Sequence, residues 1–364
     1  MIYGHVADTM AAIPGLRSLR RAYPRARIEA LVIRASEPIL RDCPYVDAVL
    51  SWKDFQLKGT RFARAEKATT MGLLGWRLRQ NRYDAVLVFH RSFRSIRRLA
   101  AVSRAPVRAG ISTGRDGYTH WLPAPAGIHS SREENRRVLE AIGVEEDGGP
   151  LELWTSVRDQ SVVDRLLGAA SERPLIGLHP GSDWSCQQWL PERFAAVGRD
   201  MQGRIGARIV VTGSASEVGL QEEIAAGLAA EPVRAAGATS LGELIAVIRR
   251  LDLLICVNSA PAAIARAVGT PAVVLLGPED ARLTGLVPGP RLGIVQPDRG
   301  REPGSWCEFG RWGVLSGCES PMCRAISGLD QLDPAEVTRV AMRLLEWPTV
   351  PSTQIAIEPV EVSS

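Results

Sequence analysis

The sequence contains little lysine, few cysteines and no long apolar run. Lysine occurs only at positions 53, 58 and 67, so the net charge of +4 comes almost wholly from arginine, and this mild excess indicates no nucleic-acid partner. No apolar run reaches the roughly 18 residues that span a bilayer. The first residues also lack the basic-then-apolar order of a signal peptide. We therefore expect a cytoplasmic protein.

The cysteines do not indicate a disulfide framework or a metal centre. Six cysteines in 364 residues are too sparse for a disulfide-stabilised protein. Cys256 lies in an apolar run and is expected in the core. Cys307, Cys318 and Cys323 gather near the C-terminus, but their spacing matches no tight zinc pattern. We expect local packing there, and neither a metal nor a cofactor.

The chain does contain a regular alternation of apolar, β-rich runs with amphipathic helical stretches. The predicted strands are residues 28–33 and 85–89 in the first half, and 175–178, 208–211, 253–257 and 272–276 in the second. This alternation predicts an α/β protein with parallel sheets, built as two Rossmann-like, doubly wound domains facing a central cleft. We expect an N-terminal domain of residues 1–160, a C-terminal domain of residues 170–347 and a tail of residues 348–364.

Three helices have clear signals at their ends. Residues 13–21 predict a helix that Pro14 introduces, with its arginines on the outside. Residues 131–142 predict a second helix, which Gly143 ends. Asp333 is the expected N-cap of the last helix.

The most informative turn follows the predicted strand 253–257. Asn258, Ser259 and Ala260 are small residues that turn the chain, and Pro261 opens a short helix. Small side chains allow a ligand close to the backbone, and the free N–H groups of a helix start favour a phosphate or diphosphate. The alternative is an ordinary strand-to-helix turn with Asn258 or Ser259 as the cap.

A second turn, after the predicted strand 175–178, carries polar and aromatic groups. His179 is followed by Gly181 and Ser182, which offer backbone donors, and Trp184 or Trp189 offers a flat apolar wall. We expect this turn to line the cleft. The alternative is a packed loop.

Glu217 follows the next predicted strand, residues 208–211. An acid just beyond a strand of a doubly wound fold often binds ribose hydroxyls. The alternative is an acid that stabilises the positive end of the helix dipole.

Asp8 is the candidate catalytic residue of the first half. We expect it in a loop before the helix, where it could face the cleft and take a proton from an incoming hydroxyl. The alternative is a plain helix-start acid. His90, Arg91 and Arg94 follow the strand 85–89 and are candidates for binding an anionic acceptor, although most such arginines form a solvated helix face.

Together these stretches resemble glycosyltransferase family 9, the ADP-heptose:lipopolysaccharide heptosyltransferases. The similarity extends from about Asp8 to Leu345. It is carried by segments that occur in the family's order: 8–20, 23–24, 44–47, 82–84, 135–143, 179–181, 189–194, 268–271, 277–278 and 318–326.

The resemblance implies a GT-B architecture and an inverting sugar transfer without a metal ion. By analogy, Asp8 would deprotonate the acceptor hydroxyl, which attacks the anomeric carbon of a nucleotide sugar. The turn at Ser259, Ala260 and Pro261 would stabilise the diphosphate, and Glu217 would approach the nucleoside. The resemblance further implies a lipid-linked or oligosaccharide acceptor, and a basic N-terminal face would suit peripheral contact with the inner membrane.

The chain departs from the family pattern at several positions. It has Asn258 where the family has aspartate, Ala263 where the family has histidine, and Gln187 where the family has a lysine near the diphosphate. We assign Gln187 to the donor site with this change of charge. Only residues 1–6 precede Ala7, where the family has a full strand, so we expect either a start further upstream or a sheet without its central strand.

These observations favour an active transferase of heptose or a related sugar. The alternative is a catalytically weak relative that serves as a binding or scaffold subunit in envelope polysaccharide assembly. A sugar-nucleotide epimerase of the same fold is disfavoured, since the ordered matches belong to the transferases.

Overall fold

The computed structural model describes residues 1–2, 4–52, 61–89, 94–114, 117–124, 130–168, 172–182, 187–277, 281, 285–297 and 328–346, with the backbone alone for residues 61–68. The strands of this part of the chain are β1 (Glu29–Ile33), β2 (Ala48–Trp52), β3 (Ala85–Val88), β4 (Val107–Ser112), β5 (His120–Pro123), β6 (Leu175–His179), β7 (Arg208–Val211), β8 (Val233–Arg234), β9 (Leu253–Val257), β10 (Ala272–Leu275) and β11 (Leu292–Val295).

The helices alternate with these strands, as the sequence predicts. They are α1 (Val6–Ala22), α2 (Glu37–Leu40), α3 (Arg61–Gln80), α4 (Arg94–Ser103), α5 (Ser131–Glu140), α6 (Val157–Leu167), α7 (Pro191–Ile205), α8 (Val218–Ala226), α9 (Leu241–Arg250), α10 (Ala260–Val268) and α11 (Pro334–Glu346). None of the helices in the described ranges has the length and apolar character that crossing a bilayer requires.

The sheet of the second half is parallel throughout and has the order β11-β10-β9-β6-β7-β8. Every residue of β6 and β9 is buried, as expected for strands covered on both faces. The chain runs from β6 to β7 and β8 on one side, then returns to β9 on the other side of β6. The strand order therefore reverses between β6 and β9.

One of the cysteines lies in a central strand of this sheet. Cys256 lies fully buried in β9, and burial raises the pKa of its thiol, which confirms it as a core residue. Cys307, Cys318 and Cys323, like the tail 348–364, lie outside the described residues.

Residues 1 and 2 connect the two sheets of the first half. β1 pairs with β2, and β3, β4 and β5 form a second parallel sheet. The backbone N–H of Ile2 donates to the carbonyl of Leu31 in β1 (2.8 Å), and the N–H of Phe89 donates to the carbonyl of Met1 (3.0 Å). Residues 1 and 2 therefore occupy the position between β1 and β3.

Helix α1 begins earlier than predicted. It starts at Val6, so the prediction that Asp8 lies in a loop and that Pro14 opens the helix is wrong. The early start has a local cause, because the N–H of His5 donates to Asp8 Oδ2 (2.9 Å) and closes the first turn. Pro14 lies inside the helix, and Asn135 of α5 donates to the carbonyl of Ala11 (3.2 Å), which ties α5 to this turn.

The ends of two other helices agree with the sequence. α5 ends at Glu140, and Gly143 follows in the left-handed region with φ of +75°. Asp333 caps α11, since its Oδ1 accepts from the N–H of Ala335 (2.9 Å). Both signals are confirmed, because each residue supplies what a helix end lacks.

Arg17 contradicts the prediction that the arginines of α1 point outward. Its side chain is only 4% exposed. The guanidinium donates from Nε and Nη2 to the two carboxylate oxygens of Asp147 (2.6 and 2.7 Å), and from Nη1 to Glu152 (2.9 Å) and to the carbonyl of Pro150 (2.9 Å). This network fixes the segment after α5 against α1.

Buried residues connect the two halves of the chain. One cluster contains Ile13 of α1, Leu139 of α5, Ile245 of α9 and Ile264 of α10, and α1 lies against α10. Between the halves, α6 packs on α9. The predicted division between residues 160 and 170 falls within α6, and the packing of α6 on α9 favours grouping that helix with the second half. We therefore propose a division just before Val157.

The buried position of Arg17 leads to a stability prediction. Arg17→Met leaves the Asp147 carboxylate, itself 14% exposed, without its main partner, so we expect a loss of about 3–5 kcal/mol in the free energy of unfolding. Arg21 contacts the same carboxylate but is 67% exposed, so Arg21→Met should cost less than about 1 kcal/mol. Urea denaturation measures both losses. Equal losses would contradict the assigned role of burial.

The same network predicts how stability depends on pH. The Arg17 guanidinium lowers the pKa of Asp147 from 3.8 to about 2. A carboxylate with a lowered folded pKa stabilises the fold above its unfolded pKa, and this contribution disappears as pH falls from about 4 to about 2. Urea midpoints across this range should therefore fall more steeply for the wild type than for Asp147→Asn. Parallel curves would exclude this contribution.

Candidate active site

Three polar turns meet at the carboxyl ends of β7, β6 and β9. His179 is the last residue of β6 and pairs in register with Cys256 of β9, while Leu178 pairs with Val211 at the end of β7. Thr212 and Asn258 are the residues that follow β7 and β9. Ligands of open α/β sheets bind at this edge, where the strand order reverses. The structure thus brings the predicted donor turns together.

His179 joins two of these turns from a buried position. It is 6% exposed, and its Nδ1 forms a hydrogen bond with Oγ1 of Thr212 (2.9 Å). Burial lowers the pKa of His179 to about 4, against the opposing charge of Glu217. The imidazole is therefore neutral at physiological pH. It can position the turn after β6, but it supplies no positive charge to a diphosphate.

Ser182 and Gln187 close the turn after β6 by a hydrogen bond with each other. Both residues are buried, and the Ser182 hydroxyl donates to Oε1 of Gln187 (2.8 Å). Nε2 of Gln188 donates to the Ser182 carbonyl (2.9 Å). Gln187 thus supports the turn with a neutral side chain. Of the two candidates for an apolar wall, Trp184 lies outside the described residues, and Trp189 is buried in the core against Phe194 (ring centroids 5.1 Å apart).

Glu217 has one of the two roles that the sequence left open. Its Oε2 accepts from the N–H of Ser214 (2.6 Å), which makes it a helix-start acid. The same carboxylate lies against Gly181, where an added Cβ would collide with it. The glycine at position 181 therefore leaves room for the Glu217 carboxylate beside the turn after β6, and the ribose-binding role stays a prediction.

The turn from β9 into α10 leaves its backbone donors uncapped. Ser259 is the N-cap of α10, but its side chain forms no capping hydrogen bond and donates instead to the carbonyl of Val257 (3.4 Å). Ala260 and Pro261 have small side chains, and Ala260 is half-buried. The positive end of the α10 dipole thus lies at the same sheet edge.

Asp8 is held by donors from two helices. Besides the bond from His5, the hydroxyl of Ser131 at the start of α5 donates to Asp8 Oδ1 (2.7 Å). Gly4 lies against the Asp8 carboxylate, where a Cβ would collide with it. Asp8 remains half-buried. The carboxylate is therefore oriented, with part of its surface open to a ligand.

The structure adds two arginines that the sequence analysis missed. A Cβ built on Gly285 would lie 3.8 Å from Cβ of Ser130 and 3.9 Å from Nη1 of Arg266. Partial burial and the charge of Arg132 lower the pKa of Arg266. Arg266 of α10 and Arg132 of α5 therefore lie close together, beside the helix start that holds Asp8. No motif signalled this pair, because the two residues are far apart in the sequence.

The predicted acceptor residues are only partly described. His90 and Arg91 lie outside the described residues. Arg94 is the first residue of α4 and is exposed. Among the described residues, no three His, Cys, Asp or Glu side chains are grouped as ligands for a metal ion.

Solved structures with a similar fold are glycosyltransferases. A family 9 glycosyltransferase from Veillonella parvula DSM 2008 matches 94% of this chain and 95% of its own, with a TM-score of 0.77 and 22% identity. E. coli ADP-heptose lps heptosyltransferase II matches 94% and 97%, with a TM-score of 0.70 and 20% identity. The molecule therefore has the fold of a GT-B glycosyltransferase.

The sequence comparisons identify the family. The profile of glycosyltransferase family 9 (heptosyltransferase) matches residues 71–303. The chain is also 28% identical over 288 residues to lipopolysaccharide heptosyltransferase 3 of Escherichia coli, which covers 75% of this chain and 81% of the relative. This chain belongs to glycosyltransferase family 9, and the resemblance carried by its motifs is confirmed.

The contact between Gly181 and Glu217 can be tested by stability measurements. Gly181→Ala forces the Glu217 carboxylate away from Ser214, so we expect a cost of about 1–3 kcal/mol. In a Glu217→Ala background the same change should cost much less, because the collision is gone. Gly203→Ala in α7, where nothing lies within 4 Å, is the control and should not destabilise. Additive costs at 181 and 217 would contradict the contact.

Proposed function

We propose that this protein transfers a heptose or a related sugar from an ADP-heptose-like nucleotide sugar to the lipopolysaccharide core or another envelope glycan, with inversion at the anomeric carbon and without a metal ion. The observation that carries the proposal is the meeting of the turns after β6, β7 and β9 where the strand order reverses. The names of two relatives, one with ADP-heptose and both with lipopolysaccharide, support this donor and this acceptor.

The donor would bind at the edge formed by these turns. The uncapped start of α10, formed by Asn258, Ser259, Ala260 and Pro261, would receive the diphosphate through the helix dipole and the backbone N–H groups of Ser259 and Ala260. Glu217 would accept hydroxyls of the nucleoside ribose. His179, Gly181, Ser182 and Gln187 would form the wall of this site, and because His179 and Gln187 are neutral, the helix start would have to supply more of the favourable charge.

Asp8 would act as the general base. Its carboxylate would take the proton of the acceptor hydroxyl while that oxygen attacks the anomeric carbon, and the nucleoside diphosphate would depart from the opposite face. Ser131 and His5 orient the carboxylate for this step. Since α1 lies against α10, the helices that carry the base and the diphosphate site are in contact.

The acceptor would bind on the side of the first half. His90, Arg91 and Arg94 are the proposed acceptor residues, and Arg266 adds a cation near Asp8 that suits a phosphorylated glycan. A lipid-linked acceptor would require the protein to act at the cytoplasmic face of the inner membrane, and we propose this location.

The decisive experiment is turnover of ADP-heptose by Asp8→Asn. An asparagine oxygen can still accept from His5, so the helix start survives while the base is lost. We expect kcat to fall at least about a hundredfold with an unchanged Kd for the donor. Asp159→Asn is the matched control, because Asp159 closes the start of α6 in the same way through the N–H of Ser156 (2.9 Å).

Each outcome has a defined meaning. Unchanged turnover in Asp8→Asn would remove Asp8 as the base. A wild-type protein that binds no nucleotide sugar at millimolar concentration in calorimetry would overturn the transferase function. Donor binding without any turnover in the wild type would support the alternative of a binding or scaffold subunit.

A further inference from the structure

Helix α3 is apolar on two opposite faces. One face, with Met71, Leu74, Gly75 and Leu78, packs against the rest of the first half, and a Cβ on Gly75 would lie 3.2 Å from Val102 of α4. A surface helix of a globular protein typically has its apolar stripe on the buried face and polar residues on the opposite face. The second apolar face of α3 therefore needs an explanation other than the core.

The outward face of α3 is centred on Leu73 and Trp76. These two residues are one helical turn apart, and each is 64% exposed. Val102 on the neighbouring helix α4 is 43% exposed. Large exposed apolar side chains that are grouped on one pair of helices mark an interaction surface more often than single ones do.

The described part of the same pair of helices carries an excess of positive charge, although Arg77 interacts electrostatically with Glu29 of β1. In the described residues 69–89 and 94–104, the charged side chains are one acid, Asp84, and the arginines at positions 77, 79, 82, 94, 97, 98 and 104. None of these arginines forms an ion pair within the described part of the chain. Arginines near a helix end can simply stabilise its dipole, but that role needs no exposed tryptophan beside them.

The carboxyl ends of α3 and α4, where several of these arginines occur, lie at the same end of the helix pair. α3 precedes β3 and α4 precedes β4, and the two strands are parallel neighbours, so the two helices run in the same direction. Their carboxyl ends, with Arg77, Arg79 and Arg104, therefore lie at the same end of the pair. We define the α3–α4 face as Leu73, Trp76 and Val102 together with these three arginines.

We propose that the α3–α4 face is the surface by which this protein binds an anionic lipid bilayer. Leu73, Trp76 and Val102 enter the interfacial region, where the amphipathic ring of tryptophan is favoured, and the arginines contact the acidic headgroups. The helices lie on the bilayer and do not cross it.

The charge pattern favours a bilayer over a second copy of this chain. In a symmetric dimer each subunit presents the same patch, so the arginines of one copy would face those of the other. Such a contact juxtaposes like charges, and the acids near them in the described residues are Asp84 and, beside Arg77, Glu29. An acidic lipid surface complements the same charges.

This inference deepens the proposed function, because a lipid-linked acceptor is reached from a membrane surface. Vesicle binding, however, requires neither donor nor acceptor. A protein that does not bind vesicles can therefore be distinguished from one that does not transfer sugar.

The test is co-sedimentation of the full chain with vesicles of phosphatidylcholine containing about 30% phosphatidylglycerol. We expect the wild type to bind these vesicles, to bind pure phosphatidylcholine far less, and to dissociate at about 0.5 M NaCl. Leu73→Ser/Trp76→Ser should lower the partition coefficient at least about tenfold. Arg77→Gln/Arg79→Gln should lower it about fivefold for each charge removed.

The matched control lies on α6 in the other half. Val157 is 84% exposed and Arg158 is exposed beside it, so Val157→Ser/Arg158→Gln removes one exposed apolar group and one exposed charge. This variant should bind the vesicles like the wild type. Circular dichroism and thermal melting of each variant separate lost binding from lost folding.

A second measurement locates the contact. Trp76→Phe keeps an aromatic ring at the interface and should still bind, but the quenching of tryptophan fluorescence by brominated lipid should fall. Absence of wild-type binding to acidic vesicles, or unchanged quenching in Trp76→Phe, would overturn the proposal. So would concentration-dependent self-association that disappears in Leu73→Ser/Trp76→Ser, since the face would then bind a second copy.

Discussion

The parallel pairing of β6 with β7 on one side and β9 on the other constrains the whole second half. A strand buried on both faces can carry polar groups only where it ends, so chemistry is confined to the turns. Parallel strands end at one edge, and the return of the chain across β6 opens a gap between the turns there. His179 at this edge is buried, neutral and hydrogen-bonded, and it connects two turns without adding charge.

The two acids of the candidate site share one local geometry. Asp8 and Glu217 each accept the backbone N–H at the start of a helix, and each lies against a glycine that a larger residue could not replace without collision. A carboxylate in this position is oriented by the helix start and still borders a turn. The structural role of these residues is therefore compatible with the chemical role proposed for them, because the hydrogen bond to the helix start also orients the carboxylate.

Charge is distributed differently from the pattern of the family motifs. Gln187 is neutral and is bonded to Ser182, while Arg266 brings positive charge close to the start of α5, where Arg132 is paired with Glu146. Other arginines lie on the outside of α3 and α4 beside exposed apolar side chains, and none of them forms an ion pair among the described residues. The protein is thus basic in two separate places, one beside the proposed base and one on an outer face.

Periodicity and composition determined the alternation of strands and helices, the parallel sheets and the turns that carry polar residues, because these depend on neighbours within a few positions. They also predicted the caps at Gly143 and Asp333. They did not predict that α1 begins at Val6, that Arg17 is buried against Asp147, or that Arg266 lies near Arg132. The start of α1 depends on the local contact between His5 and Asp8. The other two features depend on partners that are distant in the sequence, and only the packing of α1, α5 and α10 brings those partners together.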